Sequence, residues 1–115
     1  DRHINLIDFL REHNLDVHSC CTVDEAWDFL AKNPCDLLIL DIMMPSGDMF
    51  ANQNIPDGEM GVYFYKKVKQ EYPDLIILVY SILKKENIPI QIKEYIRKSC
   101  SPNAMFTKIK NLLKL

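Results

Sequence analysis

Two continuous apolar runs, Leu37-Leu-Ile-Leu40 and Leu75-Ile-Ile-Leu-Val-Tyr80, constrain this chain more than any other feature. Neither alternates with polar residues, so neither suits a sheet with one face in water. Each reads as a strand covered on both faces, the habit of parallel sheets. The first run ends in Asp41 and the second in Ser81. Parallel neighbours cannot be joined by a tight hairpin, so the segments between such strands must carry crossovers, usually helices.

The rest of the chain supplies them. Ile4 to His13 places Ile4, Ile7 and Leu10 on one helical face, and Val17-His-Ser-Cys-Cys21 reads as a short strand. Thr22-Val-Asp-Glu25 has capping-box spacing and opens a helix carrying Ala26, Trp27, Phe29 and Leu30 that stops before Pro34. Gly61 to Tyr72 predicts a helix with Val62, Tyr65, Val68 and Tyr72 inward, closed by Pro73. Lys84 to Lys93 is a poor helix interrupted by Pro89, and Glu94 to Lys98 a short strand. Ser101 and Pro102 have the N-cap and N1 pattern of a last helix, with Met105, Ile109, Leu112 and Leu113 on one side. Helix and strand alternate throughout, so the expectation is a single α/β domain over 1–115. Right-handed crossovers would make it a three-layer sandwich around a central parallel sheet. Function in such sheets sits at the carboxyl ends of the strands, and Asp41, Ser81 and Lys98 all fall there.

Composition narrows the partners. A net charge of -2 and a sequence pI near 5.9 call for neither nucleic acid nor an anionic membrane surface. No apolar run approaches the roughly 18 residues of a membrane span, and the start lacks a basic-then-apolar signal segment. Cys20, Cys21, Cys35 and Cys100 show no C-x-x-C spacing and read as small apolar residues of a reduced, cytoplasmic protein.

An acid that ends a strand and precedes a turn is exposed at the sheet's working edge, where it can act as nucleophile or metal ligand. A hydroxyl ending the next strand can bond a phosphoryl oxygen, and a lysine beyond it can neutralise the charge. Phosphoryl transfer asks for such parts, usually with Mg2+. Taken singly, each residue has an ordinary reading: an aspartate after a strand is commonly a turn former.

In combination they carry a resemblance. Asp41-Ile-Met-Met-Pro45 resembles the D-x-x-M-P signature of response-regulator receiver domains. Thr22 to Leu30 is similar to that family's second helix, and Pro73 to Ser81 to its fourth strand. Tyr95-Ile-Arg-Lys-Ser-Cys-Ser-Pro102 resembles Y-x-x-K-P-F-x-P, with Ser99 and Cys100 in place of proline and phenylalanine. The resemblance implies a flavodoxin-like fold with strand order 2-1-3-4-5. It implies that Asp41 accepts phosphate from a sensor histidine kinase or phosphotransfer protein. Ser81 would be the switch hydroxyl, Tyr95 the aromatic that turns inward with it, and Lys98 the charge-pairing lysine. Mg2+ would be held by Asp41, the Met43 carbonyl and an acidic cluster of which Asp1 is the candidate remnant. Such a domain is a signalling switch rather than an enzyme, at most catalysing its own phosphorylation and autodephosphorylation. Its output domain or partner is unknown, and a homodimer is open to it.

The sequence departs from the family pattern in three places. Receivers open with an apolar strand ending in two acids, whereas here Asp1 stands in or just before the first helix; the expectation is that this strand lies upstream or comes from another chain. Asp41 and Gly61 are twenty positions apart, about a dozen more than usual, so 46–60 reads as an inserted surface loop or a lid over the acceptor. Asp48, Asp57 and Glu59 in it fit no calcium-loop spacing. Ser81 and Lys98 are seventeen positions apart, about five fewer than usual, which leaves room for only a turn or two of fourth helix. The alternative function is a pseudo-receiver that binds protein independently of phosphorylation. A dehalogenase-type phosphatase is a third reading, but it wants a second acid two residues after Asp41, where Met43 stands.

Overall fold

The computed structural model describes residues 2–42 and 60–115. The elements run α1 (Arg2–Glu12), α2 (Val23–Lys32), β1 (Leu37–Leu40), α3 (Met60–Glu71), β2 (Ile76–Ser81), β3 (Glu94–Arg97) and α4 (Pro102–Leu113). A single 3-10 turn, Lys85–Asn87, interrupts the connection from β2 to β3. The chain is thus an α/β fold built on a parallel sheet.

The sheet has the order β1-β2-β3 with both pairs parallel. Leu37 pairs with Ile76 and Leu40 with Val79, while Leu78 pairs with Glu94 and Ser81 with Arg97. Consecutive neighbours of this kind are what the 3-4-5 part of the expected order looks like. The central strand β2 is buried from Ile77 to Ser81, as its unbroken apolar run requires.

Chain contacts divide the described residues into two compact units. In residues 20–98, Val23, Ala26 and Leu30 of α2 join Leu40, Ile42, Phe64, Val68, Ile77 and Val79 in one apolar core. Trp27 meets Phe64 and Tyr72 edge-on, at centroid distances of 6.3 and 5.8 Å. The sequence face assigned to α3 omitted Phe64, which is fully buried, and included Tyr72, which is half-buried. In the other unit, residues 1–19 and 99–115, Leu6 and Leu10 of α1 and Met105 and Ile109 of α4 are buried. Phe9 stacks on His13, whose ring is tilted against that of Phe106 with centroids 4.7 Å apart. Of the face expected of α1, Leu10 is buried, now beside Leu6, and Ile7 is half-buried, while the Ile4 side chain lies outside the described residues. Asn14, at φ 68°, takes the left-handed turn that ends α1, a conformation its short polar side chain tolerates.

Local signals behave as their chemistry dictates. Thr22 Oγ1 accepts from the Glu25 N–H, the N-cap half of a capping box, and Glu25 Oε2 reaches one residue past the cap to the Cys21 N–H, both at 3.2 Å. Thr22→Ala is expected to cost about 1 kcal/mol, read as a lower thermal midpoint with unchanged helix content. Ser101 caps α4 by accepting from the Ala104 N–H at 3.1 Å, with Pro102 in the first turn.

One predicted element is absent. Val17 to Cys21 is not a strand. A strand exists only through its ladder, and among the described residues no backbone pairs with this segment. Side chains occupy part of it instead: Arg11 Nη2 donates to the Val17 carbonyl, and Glu25 takes the Cys21 N–H. The cysteines are free thiols, and burial pushes Cys20, Cys35 and Cys100 up from the ordinary thiol range, joined at Cys35 by the Asp36 carboxylate. A raised thiol pKa lowers the share of thiolate, the nucleophilic form, at neutral pH.

Candidate functional site

The site lies at the carboxyl end of the sheet. Asp41 is the first residue past β1 and Lys98 the first past β3. The Lys98 Nζ donates to Asp41 Oδ2 at 2.6 Å, an ion pair between residues 57 positions apart. Both side chains keep 31% of their surface open to solvent, so the pair is accessible and its net worth is at most about 1 kcal/mol. Its value is geometric: it holds a cation beside the Asp41 carboxylate at the sheet's edge.

Backbone bonds set this arrangement. The Lys98 N–H continues the ladder by donating to the Ser81 carbonyl at 2.9 Å, which locks the exit of β3 against the exit of β2. Ser81 itself is fully buried, the one polar member among the buried residues described. Its Oγ accepts from the Leu83 N–H at 3.1 Å. The Tyr95 hydroxyl, from β3, donates to the carbonyl of the same Leu83. Leu83, two residues past the end of β2, thus bonds the hydroxyl through its N–H and the aromatic residue through its carbonyl, both singled out from the sequence. Leu83 itself was missed, because main-chain contacts leave no trace in residue type.

Gly61, in the first turn of α3, was also missed as a site-shaping residue. A Cβ there would fall on the Ile42 carbonyl oxygen and within 2.5 and 2.6 Å of the Ile42 Cα and carbonyl carbon. Only glycine lets α3 approach the backbone directly after Asp41 this closely.

Asp41 offers the hard oxygen donor that a cation such as Mg2+ takes. Among the described residues, no three His, Cys, Asp or Glu side chains are grouped closely enough to hold a metal. Met43 and Asp1, the other expected ligands, lie outside the described residues, as does the inserted loop with Asp48, Asp57 and Glu59. The described donors alone do not complete a metal site. Among the described residues, no helix is long and apolar enough to cross a membrane.

Asp41, Ser81 and Lys98 thus stand at adjacent strand ends of one parallel sheet. Residues 3–110 match the response regulator receiver domain family. The chain belongs to that family. No match is found among the curated proteins. Among solved structures, a CheY-like receiver domain protein from Methanospirillum hungatei JF-1 is similar at TM-score 0.77 and 18% identity, covering 96% of this chain and 82% of that one. The receiver domain of NtrX from Brucella abortus is similar at TM-score 0.76 and 14% identity, covering 95% and 87%. A response regulator from Thermotoga maritima gives TM-score 0.73 and 17% identity, covering 97% and 87%. At these identities the likeness is one of fold. As a receiver domain, the chain is of a class that works as a signalling switch, typically with Mg2+, and that meets kinases or phosphotransfer proteins and output domains.

Proposed function

We propose that this receiver is phosphorylated on Asp41 by a histidine kinase or phosphotransfer protein. The observation that carries the reading is the 2.6 Å contact of Lys98 Nζ with Asp41 Oδ2, formed across the ends of β1 and β3. In the reaction an Asp41 carboxylate oxygen forms a bond to phosphorus while the donor's N–P bond breaks. Its electron pair stays on the imidazole nitrogen. Negative charge then moves outward from the carboxylate to the phosphoryl oxygens, and a flexible lysine stem can follow it.

The same reading makes Ser81 and Tyr95 the switch. The Ser81 hydroxyl that now accepts from Leu83 would turn toward a phosphoryl oxygen and release that N–H. Tyr95, bonded to the Leu83 carbonyl, would respond through the same residue's backbone. Added charge in this way biases a two-state surface around β2 and β3. Mg2+, with Asp41, the Met43 carbonyl and acids such as Asp1 as ligands, would neutralise charge on the phosphoryl group. The domain would act in the cytoplasm, without contacting nucleic acid or membrane itself, and could pair as a homodimer.

The test is direct. The full-length protein, incubated with Mg2+ and acetyl phosphate, should gain the mass of one phosphoryl group. Borohydride reduction of that product should convert position 41, and no other, to homoserine. Reduction at another carboxylate would overturn the assignment to Asp41. An unchanged mass would favour the pseudo-receiver instead.

A further inference from the structure

Asp41 is not the only group that engages Lys98. The ammonium also lies over the ring of Tyr80, 5.5 Å from its centroid. The sheet register explains how one side chain reaches both. Leu40 pairs with Val79, so Asp41, one residue on, falls level with Tyr80. Tyr80 pairs with Ile96, and Lys98 stands two residues beyond, on the same face by strand alternation. Tyr80 therefore occupies the central strand between acceptor and lysine. It is buried, at 8% exposure, whereas the Lys98 side chain is 31% exposed.

A lysine ammonium is compact and strongly hydrated on a stem with many rotamers, and a single half-exposed carboxylate holds it weakly. The face of an aromatic ring supplies a second attraction that does not depend on the state of Asp41. It comes from the ring quadrupole, which falls on the cation from a fixed, buried platform. We propose that Tyr80 is a positioning residue for the phosphorylation site, holding the Lys98 ammonium beside Asp41 through its ring face. The proposal rests on the receiver reading for its consequence, while the contact itself stands apart from it. It also distinguishes the ring from the hydroxyl: phenylalanine should do the work and leucine should not.

Ring-fluorinated phenylalanines incorporated at position 80 of the full-length chain drain the quadrupole while keeping the ring's shape. Two quantities are read: the NMR shifts of the Lys98 ε-methylene protons, and the rate of phosphoryl uptake from acetyl phosphate with Mg2+. Tyr80→Phe should leave both close to those of the unaltered protein. Increasing fluorination should move the Lys98 resonances stepwise toward the position of an unstructured lysine and slow uptake by about three- to fivefold at the end of the series. Tyr80→Leu should match that end point, and should it fail to fold, the fluorinated series decides. Lys98 resonances that stay constant across the series would overturn the proposal. If even the unaltered chain takes up no phosphoryl group, the phosphoacceptor reading fails, and the Lys98 resonances still settle whether the ring holds the lysine.

Discussion

Asp41→Asn is expected to reduce phosphoryl uptake from acetyl phosphate to background while leaving the domain folded. The amide has nearly the carboxylate's shape, and its oxygen can still accept from Lys98 Nζ, which now stands 2.6 Å from Asp41 Oδ2. What it lacks is an anionic oxygen able to form the acyl–phosphate bond. Because both partners of the ion pair are 31% exposed, losing its charge should change stability by no more than about 1 kcal/mol. Thermal unfolding followed beside the mass assay separates lost chemistry from lost fold. A variant that still takes up one phosphoryl group at the original rate would show that another carboxylate is the acceptor.

Gly61→Ala is the second large effect, and it acts on stability. The added methyl meets only main-chain atoms of Ile42, two of them at 2.5 and 2.6 Å. A side-chain clash can be relieved by rotation, but a backbone clash cannot, and Ile42 is itself a buried member of the core. The cost should reach about 3 kcal/mol, the upper end for overpacking, which in a domain of this size lowers the melting midpoint by roughly 10–15 °C. The displacement falls one residue from Asp41, so phosphoryl uptake should fall as well, even at temperatures where the variant remains folded. An unchanged midpoint would mean that α3 can shift away from Ile42 at little cost.

Part of this domain was legible before any coordinate. The apolar runs ending at Asp41 and Ser81 announced parallel strands, and β1 and β2 follow them within a residue. The caps at Thr22 and Ser101 and the reach of Glu25 back to Cys21 are local hydrogen bonds between residues three or four apart, so residue type alone specifies them. Pro89 and the short span from Ser81 to Lys98 foretold that little helix would form there, and a single 3-10 turn is present. Val17 to Cys21 misled because it resembles a strand in composition, whereas a strand is a pairwise object that needs a neighbour's backbone.

The sequence by itself therefore determined the class of fold, the capped starts of α2 and α4 and the strand-end positions of Asp41, Ser81 and Lys98, since each depends on local periodicity or capping chemistry. Only the tertiary structure decided which groups meet. It set the Lys98 ammonium between Asp41 and the Tyr80 ring, tied the Tyr95 hydroxyl to the Leu83 carbonyl, and seated Gly61 against Ile42. These contacts join residues remote in sequence through the register of a parallel sheet and the approach of a helix to a backbone. Such distances are fixed by packing, and no spacing along the chain encodes them.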